Sequence, residues 1–205
     1  RRVLFRSSFP RTLQQQVMDG DLPPLNIIIG TNANESLLYI KPEASVASYL
    51  EGRVPAQRWP DVLAAAGDDL DELATFDRLG TAVTFLCPSL TLANAVSAAG
   101  GRAFVYRFDR VRPGFDSIGA YHGAELPYVF DRHDSWLPTE PVDRTLTRLM
   151  LDYWQGFIAQ GDPGGSEFMA WPPWQPDDYQ AVIFSEESSV MPHPDVEFCS
   201  AFSGT

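Results

Sequence analysis

Three short β-prone runs, separated by stretches of helical periodicity, constrain this chain most. Pro23-Pro24 leads into Leu25-Asn26-Ile27-Ile28-Ile29-Gly30. A β-branched run closed by glycine predicts a strand buried on both faces. Ala103-Phe104-Val105-Tyr106-Arg107-Phe108 is the second run, with Phe104, Tyr106 and Phe108 on one face because successive side chains alternate. Ala181-Val182-Ile183-Phe184 is the third. Between them the period changes. Over Val142–Gln160, Leu146, Leu149, Met150, Tyr153, Trp154, Phe157 and Ile158 follow a helical repeat, with Pro141 before and Gly161 and Pro163 after. A helix is expected from Asp68, with Leu70, Leu73, Ala74 and Asp77 on one face, and another from Pro88 to Gly100-Gly101. Residues 44–61 are mixed and broken by Pro55 and Pro60. Trp171-Pro172-Pro173-Trp174 reads as a rigid surface segment, and Val196–Phe202 as a tail. Strands alternating with helices make the class α/β.

A chain of 205 residues, 44% hydrophobic and 12% aromatic, can bury a sizeable core. Its 15 basic residues face 27 acidic ones, for a net charge of -12. That balance repels phosphate backbones and anionic membrane surfaces, so neither nucleic acid nor a lipid surface is an expected partner. No stretch approaches about 18 apolar residues, so no membrane span is expected. Cys87 and Cys199 are too few for a zinc site and form no C-x-x-C. One long-range disulfide or two buried thiols both fit. Residues 1–7, Arg1-Arg2-Val3-Leu4-Phe5-Arg6-Ser7, can be spelled codon by codon as AGA CGT GTG CTC TTC CGA TCT, a common sequencing-library adapter. They are expected to be foreign to the fold. Removing their three arginines takes the net charge from -12 to -15. Residues 8–205 are then expected to be the C-terminal portion of a longer protein.

In open α/β sheets, sites form at the carboxyl ends of strands. Two loops in such places carry ionisable residues. Glu35 follows the first run. His122 follows the second, in a long loop from Asp109 to Tyr128 where Gly119 and Gly123 permit tight turns. A carboxylate within reach of an imidazole fixes its tautomer and stabilises the imidazolium, which is two-thirds of a nucleophilic triad. The bland alternative is a solvated carboxylate and an ordinary loop histidine.

The wording around both residues is more specific than their spacing. Gly30-Thr31-Asn32-Ala33-Asn34-Glu35 resembles the G-x-N-x-D-E segment of type-B carboxylesterases and cholinesterases. His122-Gly123-Ala124-Glu125-Leu126-Pro127-Tyr128-Val129-Phe130 resembles their H-G-x-E-L-P-Y-V-F segment. The order of the Phe-Leu-Cys-Pro helix start, the Tyr-x-Phe strand, the Asp-Tyr-Trp helix and the Trp-Pro turn agrees, from about Pro23 to Phe202. The resemblance implies part of an α/β-hydrolase fold, a central mostly parallel sheet flanked by helices. It implies a Ser-Glu-His triad with Glu35 as acid and His122 as general base. Glu125 and Asn32 would support that pair, and Tyr128 and Phe130 would line a substrate pocket. Cys87 and Cys199 would form a disulfide closing a loop of about 112 residues, which implies a secreted or periplasmic setting over a cytoplasmic one.

The partner implied is a small uncharged ester with an apolar side, with no metal and no organic cofactor. The resemblance has gaps. Asn34 stands where the family usually has Asp, and Ser36 where it usually has Gly. No G-x-S-x-G nucleophile elbow occurs. Gly164-Gly165-Ser166-Glu167-Phe168 lacks the final glycine. The nucleophile and oxyanion hole are expected upstream, leaving this chain inert alone. A non-catalytic, cholinesterase-like adhesion domain is the alternative. His133 and His193 match nothing catalytic, and His193, between two prolines, is expected at the surface.

Overall fold

The computed structural model describes residues 11–67, 70–165 and 169–203. The adapter-like residues 1–7, and Ser166–Phe168 with its near-miss elbow, lie outside the described residues. The four-stranded sheet comprises β1 (Asn26–Asn32), β2 (Arg102–Phe108), β3 (Gln180–Phe184) and β4 (Ser189–Pro192), in that spatial order. The first three run parallel and β4 returns antiparallel to β3.

Three layers form around it. Helix α7 (Pro141–Gln160) covers one face, where Leu146, Leu149, Met150 and Tyr153 pack against Phe104, Phe108, Val182 and Phe184. Helix α5 (Cys87–Ala98) covers the other, where Leu90, Ala93 and Val96 meet Ala103, Val105 and Ala181. The alternation expected in the second run is thus what divides β2 between two cores. Gly161 ends α7 in the left-handed conformation (φ 69°) that favours glycine.

Several expectations need correction. β1 is packed on its faces but only half-buried, because it lies at the edge of the sheet. The helix expected from Asp68 starts at Glu72 and runs to Thr81 as α4, capped by the Asp71 side chain; Asp68 and Asp69 lie outside the described residues. It does not stop before Pro88. A π-helical turn over Ala82–Leu86 joins α4 to α5. Pro88 has no N–H for the carbonyl four residues back, and a widened turn accommodates that loss. The resulting helix, Glu72–Ala98, has 27 residues and a mean hydropathy of 1.4 over its best window, long and apolar enough to cross a membrane by those measures alone. That amends the expectation of no span. A core helix passes the same test, and this one packs against β1 and β2.

Trp171 and Trp174 are buried, not on the surface. The N-terminal half of β2 has no β3 partner, since pairing begins at Tyr106. The tryptophan segment fills the gap: the Trp174 amide donates to Ala103 O at 2.7 Å and Trp171 Nε1 to Val105 O at 3.1 Å. His193 is also buried. Its backbone N–H donates to Tyr179 O at 2.9 Å, so the turn after β4 is drawn inward.

A third, smaller core joins α2 (Val46–Leu50), α3 (Trp59–Ala66), α4 and α8 (Val196–Ser203), with Leu50, Val62, Leu79 and Phe198 inside it. The tail is therefore a helix, and the mixed region contains two. Cys87 and Cys199 are joined in a disulfide that ties the start of α5 to α8.

Candidate active site

Glu35 sits in the tight turn after β1, and His122 in the loop after β2. Parallel pairing of β1 with β2 brings both loops to the same end of the sheet. The two loops continue that pairing through a bridge between Asn34 and Tyr121. Gly119 and Gly123 adopt φ of 60° and 89° on either side of the histidine, turns that a β-carbon would strain.

The long loop is pinned at both ends to α7. Arg110 is buried; its Nε donates to Asp143 Oδ1 at 2.8 Å and its Nη2 to Glu140 Oε2 at 2.7 Å. Tyr128 OH donates to the same Asp143 oxygen at 2.6 Å. Burial works against the charged Asp143, but Arg110, Tyr128 and a backbone amide together pull its pKa down to about 2. Arg112 Nη2 donates to His133 Nδ1 at 2.9 Å, which leaves the proton on Nε2 to reach Thr147 Oγ1 at 2.8 Å. His133 thus has a structural post. Tyr128 is fully buried in this network, and Phe130 is two-thirds exposed beyond α6 (Leu126–Val129). Tyr128 therefore does not line a substrate pocket: its ring packs on Phe108 and its hydroxyl is committed to Asp143.

Between those anchors, His122 Nδ1 and Glu35 Oε2 lie 2.6 Å apart. Glu35 is buried, whereas the His122 side chain is half-exposed. The other Glu35 oxygen accepts the Asn32 backbone N–H at 2.7 Å. Asn32 Nδ2 donates to Tyr121 O at 2.7 Å and to Glu125 Oε2. Asn32, Glu35, His122 and Glu125 are therefore brought together by these contacts. Burial pushes the Glu35 carboxyl up; the Asn32 amide and His122 oppose that, and Glu125 adds to it.

With Nδ1–H directed at a carboxylate, the Nε2 lone pair is the basic end of the ring. Two aromatic rings flank it: Phe85, from the π turn, at 5.2 Å and Tyr39 at 6.1 Å. Neither was expected from the sequence, because both lie in elements with no visible period. Phe85 also borders an open apolar groove shared with Ile29, Val83, Leu92 and Val17. Among the described residues, no group of three or more His, Cys, Asp or Glu side chains could hold a metal.

Comparison with known proteins bears on the family and the fold. A profile described as the Carboxylesterase family matches residues 62–201, well over half of the chain. The para-nitrobenzyl esterase of Bacillus subtilis is 24% identical over 92% of this chain and 40% of its own length. The phenmedipham hydrolase of Pseudarthrobacter oxydans is 25% identical over 91% of this chain and 40% of its own. A solved carboxylesterase of Geobacillus stearothermophilus superposes with a TM-score of 0.77 at 23% identity, covering 95% of this chain and 43% of that one. The fold is therefore part of the α/β-hydrolase fold, and the chain spans about 40% of the length of these relatives. On its sequence match and its architecture together, this chain belongs to the carboxylesterase family.

Proposed function

We propose that this chain supplies the acid and base of a Ser-Glu-His triad within a longer protein that hydrolyses carboxylic esters. The observation that carries the reading is the 2.6 Å contact between a buried Glu35 carboxylate and the Nδ1 of a half-exposed His122. His122 Nε2 takes the hydroxyl proton of a serine as its oxygen attacks the ester carbonyl. The same proton then passes to the departing alkoxide, leaving an acyl-enzyme. In the second half His122 deprotonates a water, which attacks the acyl carbon, and the serine regains the proton. Glu35 stays ionised and stabilises the transient imidazolium. The serine and the oxyanion donors come from residues outside this sequence, so the chain alone is inert.

The substrate is a small ester with an apolar side, since Phe85 and Tyr39 stand beside the base. The activity named for the Bacillus subtilis relative, a para-nitrobenzyl esterase, fits such a group. The Cys87–Cys199 bond supports a secreted or periplasmic protein. Hydrolysis of p-nitrophenyl acetate by the full-length protein tests the reading. His122→Ala and Glu35→Gln should each lower kcat by about 10³-fold or more. Near-wild-type turnover in either variant rejects it.

A further inference from the structure

We infer that Asn34 and Asp77 are positioning residues that lock the Glu35 loop to the His122 loop through a side-chain tie running beneath the carboxylate–imidazole pair. The inference rests on the ester-hydrolysis reading of that pair. Asp77, on α4, is buried. Its Oδ2 accepts Asn34 Nδ2 at 2.8 Å, and its Oδ1 accepts the Ser36 amide at 3.1 Å and the Thr81 hydroxyl at 3.3 Å. Asp77 therefore grips the residues on both sides of Glu35. Asn34 carries the grip onward: its Oδ1 accepts the Ala120 amide at 3.0 Å, and its own backbone N–H donates to Ala120 O at 3.1 Å. Ala120 is two residues before His122.

The chemistry of position 34 is narrow. It must donate to a carboxylate on one side and accept an N–H on the other, which an amide does and a carboxylate does not. The approach is also close. A β-carbon at Gly119 would lie 2.2 Å from Asn34 Oδ1, so the His loop seats against this side chain only because residue 119 has none. A shift of either loop by a fraction of an ångström would misalign the proton path between Glu35 and His122.

Exchanging the two groups tests the tie. In Asn34→Asp, two carboxylates face each other. In Asp77→Asn, the new amide must keep its oxygen on Ser36, so its N–H₂ meets the N–H₂ of Asn34. The double variant Asn34→Asp/Asp77→Asn restores every bond with the donor reversed and the same net charge. In the full-length protein, each single variant should lower kcat for p-nitrophenyl acetate about 10- to 100-fold, with KM within about twofold. The double variant should recover to within about threefold of wild type. The downfield proton resonance of His122 Nδ1–H should follow the same pattern, broadened or lost in the single variants and restored in the double. Single variants that keep wild-type kcat and resonance overturn the inference. So does a double variant that folds with wild-type Tm but recovers neither. If a single variant fails to fold, the double variant decides between these outcomes. A wild-type protein that hydrolyses no ester would reject the proposed function, while the resonance would still report on the tie.

Discussion

Glu35 carries a conflict between stability and use. Its carboxyl is raised by burial, so the folded protein holds that proton more tightly than the unfolded chain does. Ionising it therefore costs stability. The cost is absent below the ordinary carboxylate range and fully present above the raised value. Glu35→Gln should be at least as thermally stable as wild type at neutral pH, with the advantage shrinking on acidification, although it should lower kcat by about 10³-fold or more. The new amide would offer N–H to Nδ1 and push the imidazole proton onto Nε2, removing the base. His193 has the opposite sign. Burial, with Arg107 adding to it and Asp195 opposing, holds its imidazole below the ordinary range, and its Nε2 has no hydrogen-bond partner among the described residues. Its contribution is present above the ordinary imidazole range and is lost as pH falls from there to the lowered value of about 4. Relative to His193→Asn, which keeps an acceptor for the Asp195 amide, wild type should lose Tm as pH falls from about 7 to about 4. Glu35 and His122 were legible in the sequence because a family wording surrounds them. The Asn34–Asp77 contact was not, since its partners are 43 residues apart. One signal was visible: Asp77 interrupts an otherwise apolar helix face, and a buried acid requires donors.

At the scale of elements, what could be read was whatever repeats. β2 and α7 showed their periods, and both form as expected. The joined helix Glu72–Ala98 did not, because Pro88 reads as a start when a π turn makes it an interior residue. The tryptophan segment was misread for a related reason. Prolines suggested a surface turn, but alternate burial of Trp171 and Trp174 in the cores on opposite faces of the sheet is a tertiary fact. The disulfide links two elements separated by 112 residues. Closing a loop of that size restricts the unfolded chain by about 4–5 kcal/mol. Cys87→Ser/Cys199→Ser should therefore lower Tm markedly, by a shift that reducing agent reproduces in the wild type and does not add to in the variant. An unchanged Tm would show that the bridge does not form in the native protein.

Over the whole molecule, the sheet exposes β1 as an edge, and the apolar groove beside it contains Ile29 and Phe85. The edge adjoins His122 through Phe85. The fold class was legible because strand and helix periods alternate; the exposed edge was not, because the same isoleucine run suits a central or an edge strand. Labelling with a fluorophosphonate, followed by intact and peptide mass spectrometry, is the most direct test. The full-length protein should take up one phosphonyl group on a serine outside residues 1–205, at a rate that falls sharply in His122→Ala, and the chain alone should take up none. Labelling of a serine within this chain, or an equal rate in His122→Ala, would contradict the division of the triad proposed here.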